Sequence, residues 1–152
     1  MTDEIKTTAE AYEEAILPAA RAVHCTPCEP GAEDIPLPRK VASKPVEQKS
    51  PAQWAYERVI LYLKAFEDRL DNEHEVAMGF AGGDAGVLRI EGIGHFDPDI
   101  ITFYGSDPSG AKTQLVQHVS QLKVFLRAIP KDQERGEPNR IGFRLAADLD
   151  AD

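Results

Sequence analysis

Two short stretches hold residue types in spacings that could do chemistry. The first is Gly105-Ser106-Asp107-Pro108-Ser109-Gly110-Ala111-Lys112-Thr113. It comes close to the phosphate-cradling pattern G-x4-G-K-[ST], in which backbone N–H groups and a lysine hold phosphate oxygens. Here, however, Ala111 stands between Gly110 and Lys112. On a helix one extra residue swings the lysine by about 100° and shifts it about 1.5 Å along the axis. That breaks the shared cradle and argues against a nucleotide hydrolase of this class. A weaker expectation survives. A helix starting near Pro108 would present free N–H groups, and Ser106, Ser109, Gly110, Lys112 and Thr113 could hold an anion or phosphate ligand there, as a sensor or an enzyme. The plain alternative is helix capping, with Ser106 or Asp107 as N-cap and Pro108 as the first helical residue.

The second stretch is His24-Cys25-Thr26-Pro27-Cys28. A CxxC can be half a zinc site or a redox pair. A structural zinc ion takes four ligands, and His24, Cys25 and Cys28 offer at most three. A zinc or disulfide link would therefore join two chains. The alternative is an inert, exposed pair of thiols. No metal site is expected within one chain, and no cofactor is implied. His74, His95 and His118 are scattered, and neither a nucleophile elbow nor an HExxH pattern occurs. No catalytic residue is assigned, and the balance leans away from an enzyme.

The elements that must position these residues follow from periodicity. Residues 3–23 have Ala9, Tyr12, Ala15, Ile16 and Ala20 near helical spacing, with Pro18 as a kink or break. Residues 24–49 hold Pro27, Pro30, Pro36, Pro38 and Pro45 without an apolar period, which predicts a flexible linker. Ser50-Pro51 opens a helix, with Ala55, Val59, Tyr62, Phe66 and Leu70 as its apolar stripe, widened by Trp54, Leu61 and Leu63. Three strands follow around Val76–Phe80, Val87–Phe96 and Ile100–Tyr104. They are joined by turns at Gly82-Gly83-Asp84 and Asp97-Pro98-Asp99. Ala111, Leu115, Val119, Leu122, Leu126 and Ile129 then predict a second helix, stopped by Pro130. Ile141, Phe143 and Leu145 predict a last strand, and residues 148–152 an acidic tail.

The expected fold is α+β, of order α-β-β-β-α-β over residues 50–147. It has two layers, a four-stranded, mainly antiparallel sheet with two helices on one face. A separate N-terminal helix (1–23) and the Pro-rich linker (24–49) precede it. Strand alternation puts Arg89, Glu91, Ile93, His95, Thr102, Tyr104 and Arg144 on the sheet face away from the helices. That face is either a protein interface or a solvated surface with cross-strand ion pairs.

The chain has 152 residues, a one-domain length, and a net charge of −9. Residues 1–50 carry 6 basic and 9 acidic side chains, and residues 51–147 carry 11 and 14. With no basic segment, neither nucleic acid nor an anionic membrane is an expected partner. The opening MTDEIKTTAE lacks the apolar core of a secretion signal, so a cytoplasmic address is expected.

SPAQWAYERVILYLKAFEDRLDNEHEVAMGF, AGGDAGVLRIEGIGHFDPDIITFYGSDPSGAKTQLVQHVSQL and RIGFRLA resemble an uncharacterised bacterial family, a domain of unknown function, over roughly residues 50–147. The resemblance implies no activity and no catalytic residues. The function these observations favour is a small acidic adaptor or regulatory module that binds a protein partner and self-associates. The alternatives are the anion or phosphate-ligand sensor or enzyme and the Cys25/Cys28-linked dimer.

Overall fold

The computed structural model describes residues 20–25, 31–80, 86–134 and 136–150. Most of the expected N-terminal helix, Cys28, the Gly82-Gly83-Asp84 turn and the last two residues lie outside them. Residues 20–25 are not helical. The elements are α1 (Arg39–Ala42), α2 (Pro51–Glu67), β1 (His74–Phe80), β2 (Val87–Phe96), β3 (Ile100–Ser106), β4 (Lys112–His118), β5 (Val124–Pro130) and α3 (Ile141–Asp150). Single 3-10 turns lie at Ala32–Asp34, Val46–Gln48 and Val119–Gln121.

The fold is α+β with an antiparallel sheet, as the patterns imply, but it has five strands and three helices. The second expected helix is instead β4, a 3-10 turn and β5. Its apparent helix cap is a hairpin turn. The Asp107 carboxylate accepts the N–H groups of Ser109 and Ala111 (both 2.9 Å), and Gly110 takes a positive φ of 89°. The expected last strand is α3. Ile141, Ala146 and Leu149 are buried on one side of it, a helical spacing that continues into the supposed tail.

Strand order is β4-β3-β2-β1-β5, with every neighbouring pair antiparallel. This makes the edge strands β4 and β5 run in the same direction, although only residues 119–123 join them. In a flat sheet the link would have to cross about 19 Å sideways and about 20 Å along a strand. Six Cα steps reach about 21 Å at full stretch, and this link spends three residues on a 3-10 turn. The sheet must therefore curl. β2 makes the bend: its Val87 and Leu88 pair with β1, and its residues 89–96 pair with β3. The hollow of the curl is filled by α2, with α3 beside it. Ile60, Leu63, Met78, Ile101 and Phe103 form the innermost core.

α2 begins where expected: Ser50 Oγ accepts the Gln53 N–H at 3.0 Å and Pro51 is the first helical residue. It is rotated from the expected stripe. Val59, Ile60 and Leu63 point inward, and Tyr62 is 46% exposed. The described part of the Pro-rich stretch, residues 31–49, lies as a strap against α2 and α3. Val41 is 1% exposed within the core, and the Lys49 ammonium is buried against Glu57 at 2.8 Å. Its prolines set short turns here, and a single apolar anchor needs no periodicity.

Candidate functional site

A concave feature lies on the face of α2 that is turned away from the core. Trp54, Arg58 and Tyr62 follow one another at helical spacing and so form a ridge. The Arg58 guanidinium carbon sits 3.2 Å from the centre of the Trp54 ring, a cation–π stack, and its Nη1 lies 3.5 Å from Glu57. Burial holds the Arg58 pKa below its ordinary value, against the pull of Glu57. One turn on, the Tyr62 hydroxyl donates to Glu33 of the strap. That bond raises the tyrosine pKa and lowers that of Glu33.

A cavity flanks the ridge on each side. One, of about 690 Å³, is walled by Arg21 and by Glu33, Ile35 and Leu37 of the strap. The other, of about 440 Å³, is walled by Leu122, Lys123, Val124 and Leu126 at the start of β5. Trp54 and Leu61 line the first, Ala55 and Val59 the second, and Arg58 and Tyr62 line both. The two cavities make one groove across the helix, with Arg58 at its middle and Arg21, Glu33 and Lys123 among otherwise mainly apolar walls. The sequence holds its signal, Trp54, Arg58 and Tyr62 at i, i+4 and i+8. Periodicity alone could not tell this side of α2 from the core side.

The predicted anion site looks different in three dimensions. Ser106, Ser109, Gly110, Lys112 and Thr113 belong to the β3–β4 hairpin, so no helix N-terminus is present there. Glu91 holds the Lys112 ammonium at 2.8 and 3.0 Å and accepts the Ser106 hydroxyl at 2.7 Å. These bonds lower the Glu91 pKa, Lys112 contributing most.

The predicted sheet-face residues separate. The register shifts between Ile90 and Gly92, so Glu91 is a bulge residue and the alternation changes phase. Ile93 therefore points inward and is 8% exposed. Thr102 and Tyr104 stay on the outer face, beside Gly92 and Gly94. Arg89 is drawn to the buried carboxylate of Glu75 at 3.3 Å. Arg144 is exposed on α3, away from the sheet.

His95 packs against Tyr56 with the rings tilted by 53° and their centres 4.9 Å apart, at a small cavity of about 270 Å³ that Lys40 and Asp148 also line. Burial first, then Asp148 and Glu57, raise the Tyr56 pKa. Ser50, Asp97 and His95 meet nearby, but the serine and the histidine both bind Asp97 Oδ1. A nucleophilic triad needs the histidine between serine and acid. Here Ser50 caps α2 instead.

Cys25 is exposed, and its expected partner Cys28 lies outside the described residues. Among the described residues no three of His, Cys, Asp and Glu gather as metal ligands. Among them, too, no helix is long and apolar enough to cross a membrane.

No curated protein and no solved structure matches the chain. A family does match over residues 47–144, which takes in the end of the strap, α2 with its ridge, the whole sheet and the start of α3. The chain belongs to that family, the family of unknown function DUF6173.

Proposed function

We propose that the domain is a protein-interaction module, an adaptor or regulator, whose α2 groove takes an acidic, amphipathic segment of a partner protein. The observation that carries this reading is the Trp54–Arg58–Tyr62 ridge standing between two cavities. Trp, Tyr and Arg in a partly desolvated pocket are the residue types that dominate binding energy at interfaces. The charge balance supports the sign of the partner. Among the described residues Arg21, Arg58 and Lys123 line the groove against the carboxylate of Glu33, on a chain whose net charge is −9. A basic patch attracts acidic segments at short range, against the repulsion of the chain's net negative charge.

The test is native mass spectrometry of the full chain isolated from its own host, wild type beside Trp54→Ala and Arg58→Glu. Wild type is expected to carry a protein partner at fixed stoichiometry, and both variants are expected to lose it while melting cooperatively. A partner retained by both variants would remove the groove from the interaction.

A further inference from the structure

We propose that the groove over α2 is held in the resting chain by the chain's own N-terminal segment, residues 1–19, which a partner must displace. This rests on the reading of the groove as a site for acidic, amphipathic segments and adds its regulation. The first support is where the segment ends. Residues 20–25 run beside the groove. Ala20 and Arg21 line its larger cavity, and a Cβ on Gly31 of the strap would stand 3.8 Å from His24 Nε2. The chain therefore leaves for residue 19 from the rim of the groove itself. Five Cα steps from Arg21 to Ile16 reach about 17 Å at most, which puts Ile16 within range of the near cavity. From Ile16 back to Ile5 a helix would span about 17 Å, against a width of about 10–12 Å for α2. The segment is long enough to cross the ridge.

The second support is complementarity. Residues 1–19 carry Asp3, Glu4, Glu10, Glu13 and Glu14 against Lys6 alone, and the groove offers Arg21, Arg58 and Lys123. Ile5, Ala9, Tyr12 and Ile16 stand at i, i+4, i+7 and i+11, one stripe at helical spacing, and Glu13 borders it. An apolar stripe with acids at its edge matches mainly apolar walls that hold three cations. The third support is the tether. An acidic segment of another protein must approach a chain of net charge −9, whereas residues 1–19 are attached beside the groove. A short tether gives an effective concentration on the order of 1 mM. The apparent affinity of a partner then falls in proportion to the fraction of chains whose groove is open.

Trp54 is the chain's only tryptophan and lines the larger cavity, so its quenching by acrylamide in the full chain reads whether the groove is occupied. Wild type is expected to be quenched roughly twofold less than Tyr12→Ser with Ile16→Ser, which keeps the tether and removes the stripe. Glu10→Lys with Glu13→Lys is expected to behave like the serine variant. A synthetic peptide of residues 1–19, added to the serine variant, is expected to restore the shielding. Thermal melts establish that each variant is folded. Equal quenching of wild type and both variants would overturn the proposal. Shielding that strengthens with protein concentration would overturn it too, by placing the segment on a second copy. So would a serine variant that retains less partner than wild type in native mass spectrometry, because loss of a competitor must raise partner binding. If the added peptide shields Trp54 in a wild type otherwise quenched like the variants, the acidic-segment reading of the groove stands and the tethered one falls.

Discussion

The two ends of α2 face the same problem and solve it differently. Near its start Glu57 is 4% exposed, and at its end Glu67 is also 4% exposed. A buried carboxylate without compensation is costly. Glu57 is compensated by charge, with the Lys49 ammonium at 2.8 Å, the Gln53 amide at 3.0 Å and Arg58 at 3.5 Å. The same lysine also donates to Val41 O, so the pair pins the strap to the helix. Glu67 has no ion-pair partner among the described residues. Its Oε1 accepts the Phe143 N–H at 2.9 Å, at the first turn of α3, and its Oε2 is buried without a hydrogen-bond partner. Backbone N–H groups at a helix start favour a carboxylate, but burial outweighs them and raises the Glu67 pKa. One end thus holds a neighbouring segment with a counter-ion. The other holds its neighbour with a carboxyl that keeps its proton to higher pH.

The comparison can be broken first at the charged end. Lys49→Ala leaves Glu57 buried beside Arg58 alone among cations and is expected to cost about 3–5 kcal/mol. Lys49→Met with Glu57→Leu is expected to recover most of that in urea unfolding. If the double variant is no better than the single one, the cost lies in the strap's packing and not in the charge. At the other end, a Cβ on Gly142 would lie 2.7 Å from Glu67 Oε1 and 2.8 Å from the Leu63 backbone. Gly142→Ala must push α3 off α2 and is expected to cost about 1–3 kcal/mol, again read by urea unfolding. Unchanged stability would mean that α3 is not held this closely.

The smallest effect sharpens the contrast. As pH rises from the ordinary glutamate value of 4.5 toward the raised value of Glu67, the unfolded chain releases a proton that the folded chain still holds. The contribution of Glu67 to stability is therefore complete below 4.5 and is lost as pH rises through the raised value. Glu67→Gln removes that loss. Relative to wild type it is expected to gain stability as pH rises from 4.5 through the raised value. A constant difference across that range would show that Glu67 does not titrate in it.

Much of the fold was legible because local signals agreed with it. Ser50-Pro51 marked the start of α2, and alternation marked β1, β2 and β3 within a residue or two. The misreadings have separate local causes. β4 and β5 are edge strands, half exposed on alternate residues. Their sparse apolar positions, Leu115, Val119, Leu122 and Leu126, fall three or four apart across a turn and imitate a helix. In α3 the first five residues alternate like a strand, and Ala146 and Leu149 were needed to show the helical period. The inward turn of Ile93 depends on one bulge residue, which alternation cannot reveal. The α2 groove was hidden for another reason. It is walled by the strap and by the start of β5, two segments distant in sequence whose approach no single-segment pattern encodes.

The curl of the sheet sets an order of assembly. β2, β3 and β4 are joined by turns of three and five residues between Phe96 and Ile100 and between Ser106 and Lys112, so these hairpins close at small entropic cost. β1 meets β5 through pairs that run from Phe80 with Val124 to His74 with Pro130, 44 to 56 positions apart. That pairing carries most of the chain's loop-closure entropy and becomes cheap only once the hairpins have shortened the path. Local pairing closes faster than distant pairing, so the three-stranded half is expected to form before β5 completes the sheet.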